Sequence, residues 1–470
     1  RLGARRAASA PALLLLGVAI AAIVRFGPFH GSPLPAMALS AAATPGKQEA
    51  VATEPETKPK PPAPRTSSMR GVLPFAAVMV AAFVMKGRLA ANVETNAAAT
   101  PPPKDLRIDA FDSMRFFLIF YIASGHFISF AKPSELAFKL ITQINVVVGA
   151  FFALSGYVAA FSSCETGQKK AKQKILSTPA PTYILAKVFG FWPLHLFVLI
   201  LFSPMFLYVD FIFAGPFTAG CHSLMSVTMI QAWFPMHAEV WNAPTWFLGA
   251  LTFATVLTPY FLPVLAMQGK AQLRRTALWL TLFGLIPRLG YCYDTGAWGF
   301  LEGAMAPKAF PNLAYFNSMR FNPMWAVLEV MLGFVACRLV MLDGTDGEAA
   351  PKAGPADTFL PFIGMVAVLV LRATGVLALS DLLVRSCIFM PLFLLFLMGL
   401  HRASFSATVT DPLARLFAWR PLIWLGKLSF PIFVVHGPLG QLFYKKAVAS
   451  KLFGGPMNVV VGPSFFYAYL

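Results

Sequence analysis

Apolar runs long enough to cross a lipid bilayer, about 17–25 residues each, follow one another from about residue 114 to the end of this 470-residue chain. No water-soluble core hides that much apolar surface. Composition agrees: 57% of the residues are hydrophobic and 12% charged, against about 25% charged in a soluble protein. The period-two alternation of a membrane β-barrel is absent. The fold class is therefore all-α, a multi-pass integral membrane protein. About ten core spans are expected, beginning near Arg115, Thr142, Tyr183, Ala243, Thr276, Phe321, Thr358, Leu382, Leu422 and Met457.

A formal net charge of +18 does not imply a nucleic-acid partner. The basic residues sit in short clusters between apolar runs, as the positive-inside rule requires, with no basic stripe carrying interleaved aromatics. The clusters at 168–174, 270–275 and 402–420 fall on one side if the run at 223–234 does not cross. That run is read as re-entrant or surface-bound, and the start of the first core span then faces the cytoplasm. The five cysteines are scattered, with no CxxC pair, and read as inert apolar residues. No metal-ligand spacing is present.

Three regions are expected. Residues 1–30, with a basic lead and an apolar run, read as a signal or transit segment or an anchor. Residues 31–104 are rich in Pro, Lys, Glu and Thr and read as a disordered linker with one marginal apolar segment. Residues 105–470 form the transmembrane domain. With no Met at position 1 the true start is expected upstream, and the last apolar run, from Met457, reads as a truncated span.

Within the first core span, Arg115 and His126 are eleven residues apart. On a helix that is about 16.5 Å of rise and a rotation only about 20° beyond three turns, so both lie on one face. An ionisable group inside a bilayer costs on the order of 2.5–3.5 kcal/mol. Two readings stand: a functional site, or an anchor arginine with a histidine bonded to a neighbouring helix. The small residues Ala123, Ser124 and Gly125 beside His126 permit close approach of a helix or ligand.

Four segments carry a resemblance. RIDAFDSMRFFLIFYIASGHF (107–127) resembles the Arg-x10-His first helix of the acyltransferase-3 family of membrane O-acyltransferases. FFALSGYVAAF (151–161) is similar to that family's FFxLSGF, WNAPTWFLGAL (241–251) to its PxWxL, and WLGKLSFPIFVVHGP (424–438) to its LGxxSYxxYLxHxP. They stand in the family's order and cover about 107–470. Two positions depart: the usual RxxR of the third helix reads KVFG, with Lys187 and Gly190, and Leu251 stands where a glutamate often follows the tryptophan motif.

The resemblance implies transfer of an acyl group, commonly acetyl, from acyl-CoA to a hydroxyl of a carbohydrate or lipid-linked glycan, with acyl-CoA as donor substrate and no bound cofactor. It implies His126 as catalytic base and Arg115 as the donor-phosphate contact or the partner of Asp109 or Asp112. A covalent acyl-histidine is the lesser variant. Substrate-contact candidates are Lys187 (anchor or CoA phosphate), Ser155 (packing, or a bond to His126 or substrate), Asn242 and Trp246 (interface anchors or acceptor contacts) and His436. For His436 a bond to a neighbouring helix is favoured over catalysis. Arg372 and Arg385, near Asp381, read as paired or snorkelling, Arg320 as an anchor. His195, His222, His237 and His401 receive no role. The rival reading is a non-catalytic carrier or lipid-handling protein on the same fold.

Overall fold

The structure is a computed structural model that describes residues 107–163, 179–305, 309–343, 354–405 and 411–470. The expected leader, the linker and the 168–174 basic cluster lie outside these residues. Among the described residues the chain is helical throughout, with no strand.

The first core span, α1 (Ala110–Phe127), runs into a 3₁₀ turn, Ile128–Ala131. It stops where Lys132 takes a left-handed conformation ahead of Pro133, a residue whose ring disfavours helix before it. The short α2 (Glu135–Ile141) leads into α3 (Ile144–Ser163). Then come α4 (Ala180–Phe213), α5 (Pro216–Thr228), α6 (Trp246–Ala266) and α7 (Lys270–Thr295). They are followed by α8 (Leu313–Phe321), α9 (Pro323–Met341), α10 (Ala356–Ala373) and α11 (Asp381–Ser404). Helix α13 (Arg420–Lys427) bends by 54° into α14 (Ser429–Tyr444), after the single-turn α12 (Pro412–Phe417).

Seven spans, or eight counting the bent α13–α14 pair, are long and apolar enough to cross a bilayer. The expectation of about ten is corrected at two places. The span near Thr276 falls on α7, which is 26 residues long but carries Lys270, Arg274, Arg275, Arg288 and Asp294. The span near Met457 is two short helices of 4 and 5 residues, Met457–Val460 and Phe465–Tyr469. The run at 223–234 lies on α5 and a 3₁₀ turn. At 13 residues α5 reaches about 20 Å, too short for the roughly 30 Å hydrocarbon core.

Helices α3 and α9 form the centre of the bundle. Their contact is made by two glycines: a Cβ at Gly156 would strike the Val330 carbonyl, and one at Gly333 the Ala153 carbonyl. Small residues at such crossings let backbones touch, which explains Gly156 in the FFALSGY segment. Around this axis α1 packs on α3, α13 and α14, with Gly426 against the Asp112 backbone and Gly440 against the Phe127 ring.

Gly156→Ala and Gly333→Ala are each expected to destabilise the purified protein by about 1–3 kcal/mol through overpacking. Gly190→Ala, on a stretch of α4 where a Cβ meets nothing within 4 Å, is expected to be neutral or stabilising. Thermal unfolding in detergent separates the three.

Candidate active site

A cavity of about 190 Å³ opens between α1, α3, α4, α6, α8 and α14. Its polar wall holds Arg115, His126, Asn145, Ser155, Arg320 and Ser429; Trp246 and a set of Phe, Leu and Ile side chains complete it. Arg115 and His126, one face of α1, both point into it.

His126 Nδ1 lies 3.1 Å from His436 Nε2, the rings nearly parallel at 17°. His436 in turn directs Nδ1 at the carbonyls of Phe433 (2.7 Å) and Ile432 (3.2 Å). Carbonyls only accept, so His436 Nδ1 carries the proton. The neutral ring then has a bare Nε2, which accepts from His126 Nδ1–H. By the same logic His126 Nε2 keeps its lone pair, with no partner among the described residues. Two histidines 310 positions apart thus fix one tautomer of His126, the one with a basic nitrogen to offer.

His436 is held by its own helix. Pro438 lacks the N–H that would bond Val434, and Asn242 Nδ2 supplies that bond to the Val434 carbonyl at 2.8 Å. Gln441 ties the same helix to the Trp241 carbonyl at 2.6 Å, and the Tyr469 hydroxyl donates to the His436 carbonyl at 2.7 Å.

At the other end of the cavity, Arg115 Nη1 pairs with Asp112 at 2.6 Å, and Arg107 bonds the same carboxylate. Of the two expected partners it is Asp112, not Asp109, that holds Arg115. Arg320 is a cavity residue as well. Its guanidinium bridges Glu302 at 2.7 Å and Glu239 at 2.9 Å. The anchor reading of Arg320 is thereby corrected: the side chain is only 15% exposed and turns inward.

The remaining expected residues separate. Trp246 lines the cavity, packed edge-on to Phe321. Ser155 lines it too, but its hydroxyl bonds back to the Phe151 carbonyl at 2.7 Å rather than to His126. Asn242 is buried behind the wall in the structural role just given. Lys187 stays outside: it is exposed on α4, over the Tyr183 ring, so it does not join Arg115 at the cavity. Arg372 and Arg385 are paired as expected, with Asp381 (2.7 Å) and Glu329 (2.5 Å), but in the buried interior rather than at an outer turn. Asn145, Arg320 and Glu302 went unassigned or misassigned in the sequence; their partners lie far along the chain and no local spacing signals them.

Among unassigned histidines, His222 links Asp210 (3.0 Å) to His237 (3.1 Å), and His401 bonds the Tyr157 hydroxyl at 2.8 Å. Among the described residues no group of His, Cys, Asp and Glu is arranged to hold a metal.

Fold and site together define a polytopic membrane protein with a basic histidine facing an intramembrane cavity. The sequence model of the acyltransferase-3 family, described as an acyltransferase domain, matches residues 108–469. The chain belongs to that family and is a multi-pass membrane acyltransferase. No curated protein and no solved structure matches it.

Glu302 lies in the connection between α7 and α8, outside the spans. Burial pushes its carboxyl up to about 7; Arg320 and a hydrogen bond from the Asn145 amide oppose this, and Asp381 and Glu239 add to it. The folded state thus holds a proton that the unfolded chain releases above about pH 4.3. The stabilisation is complete below that pH and is lost as pH rises through about 7. The melting temperature of the purified protein should fall between pH 5 and 8, and Glu302→Gln should flatten that slope.

Proposed function

We propose that this acyltransferase moves an acyl group, most simply acetyl, from acyl-CoA to a hydroxyl of a carbohydrate or lipid-linked glycan, with His126 as general base. The observation that carries the reading is the His436–His126 pair, which leaves an unprotonated nitrogen facing the cavity. The acceptor oxygen attacks the thioester carbonyl carbon while His126 Nε2 takes the hydroxyl proton. The C–S bond then breaks, its electron pair leaves on sulfur, and the imidazolium returns the proton to give the free thiol.

The size of the cavity bears on the donor. At about 190 Å³ it is smaller than the roughly 300–1,000 Å³ of a pocket that swallows a whole ligand. Only the acyl end and part of the pantetheine arm enter; the nucleotide stays at the mouth. Arg115, about 16.5 Å from His126 along α1, is proposed to contact a donor phosphate. Asp112 takes one of its five N–H groups and leaves the others available. Ser155 and Trp246 are proposed to contact the substrates from the wall, whereas Lys187, Asn242 and His436 act outside it, His436 through His126.

Transfer from radiolabelled acetyl-CoA to membrane glycans tests this. His126→Ala should lower kcat by about 10²–10⁴-fold, the usual range for loss of a general base. Arg115→Ala should raise the donor KM about 10-fold or more, as expected for a charge-assisted bond. Unchanged transfer by folded His126→Ala would end the assignment.

A further inference from the structure

The cavity has two unlike ends, and the register of its helices sets them. Arg115 and Ser429 lie at one end, because Gly426, just ahead of the bend into α14, abuts the Asp112 backbone. His126 lies at the other, where Ile144 at the start of α3 packs on Gly125. The neighbouring Asn145 donates to the Glu302 carboxylate that Arg320 also meets, and Trp246 packs on Phe321, the residue after Arg320. A donor reaching in from Arg115 to His126 fills the length between them. The acceptor hydroxyl then has to reach His126 from the Arg320 end. That end runs to the surface: Glu239, the second partner of Arg320, is 28% exposed.

The Arg320 end is balanced in charge. Arg320 meets Glu302 and Glu239. Asp381, which accepts from the Glu302 backbone N–H at 2.6 Å, pairs with Arg372. Arg385, bonded to the Asn145 amide oxygen, shares Glu329 with Arg288. Four arginines thus face four carboxylates, and the charges cancel when Glu302 is ionised. A further charge brought into a buried cavity needs an opposite charge that is not already matched. The Arg115 mouth differs, because Arg115 and Arg107 are 34% and 55% exposed and water and salt screen a phosphate there. An uncharged polyol needs no counter-charge. Its hydroxyls both donate and accept, so they suit a guanidinium and a carboxylate side by side. Arg320 lines the cavity; its two carboxylates fix the plane of the fork and take only two of its five N–H groups.

Resting on the acceptor reading above, we infer that Arg320 contacts the non-reacting hydroxyls of the acceptor, and that its carboxylates restrict the acceptor to uncharged sugars. Glu239 is the specificity-determining residue. It comes from the connection between α5 and α6 and sits at the partly exposed edge of the cluster, whereas Glu302 is also held by Asn145. Loss of the Glu239 charge leaves Arg320 with charge to spare for an anionic sugar.

The probes are radiolabelled acetyl-CoA and the glycans of membranes that express the full chain, at about pH 8, where Glu302 is ionised. Label in His126→Ala membranes is the background. Released glycans are separated by anion exchange; an acetyl ester adds no charge, so the fraction reports the acceptor. Label per mole of glycan should be at least about 10-fold higher in the uncharged fraction than in the acidic one. Glu239→Gln should raise the label in the acidic fraction about threefold or more. Arg320→Lys keeps the charge and loses the planar fork. With the purified protein and the uncharged glycans as acceptor, it should raise the acceptor KM about 10-fold and leave the donor KM within about threefold. Acidic glycans labelled by the unaltered chain as well as uncharged ones overturn the inference, even if the variants do not fold. So does an unchanged acceptor KM in folded Arg320→Lys, or unchanged acidic label in folded Glu239→Gln. If no fraction is labelled above background, the acyl-transfer reading fails first and takes this inference with it.

Discussion

A guanidinium inside a helix bundle has to find an acceptor within the protein, because lipid supplies none. Much of this architecture follows from that constraint. Arg385 and Arg288 share Glu329, Arg372 meets Asp381, Arg320 bridges Glu239 and Glu302, and Arg402 meets Asp343. Arg338 is the variation: it reaches the Ala266 carbonyl at the C-terminal end of α6, where helical carbonyls lack partners. Arg385–Glu329, Arg402–Asp343 and Arg320–Glu239 join residues 56, 59 and 81 positions apart, so they set how distant segments stand against one another. Breaking one such pair strands a buried charge, while an apolar replacement of both can be tolerated. The pairs therefore specify arrangement more than they add stability.

The cavity inherits this order. Two of its polar residues, Arg320 and Asn145, are fixed by ion-pair systems rooted elsewhere in the bundle. A third, His126, is fixed by a histidine whose own ring is set by backbone carbonyls. None depends on solvent for its orientation. That is the condition under which a base can act without its surroundings reorganising.

The fold class was legible because bilayer-length apolar runs admit one class of answer. The Arg115–His126 face was legible because helical geometry converts eleven residues into a shared stripe. The span count was less so: α7 has the length of a span but the charge of a surface helix, and the run at Met457 is apolar but broken by Gly462 and Pro463. His436 was legible as a histidine bonded to another helix, yet not as the partner of His126, since nothing local links positions 310 apart. Arg320 resembled an anchor because it precedes a long apolar run; its carboxylates sit 81 and 18 residues upstream and only folding brings them in. Lys187 was drawn to the site by its place in a motif, while its helix face points it outward.

The mechanism requires the acyl carbon one hydroxyl away from His126 Nε2, with its donor entering past Arg115. The most direct test is a cryo-EM structure with the unreactive ketone analogue of acetyl-CoA, in which a methylene replaces the thioester sulfur. The ketone carbon is expected within about 3–3.5 Å of the site for the attacking oxygen beside His126, and the nucleotide at the Arg115 mouth. An analogue entering from the Arg320 end, or seated away from His126, would contradict it.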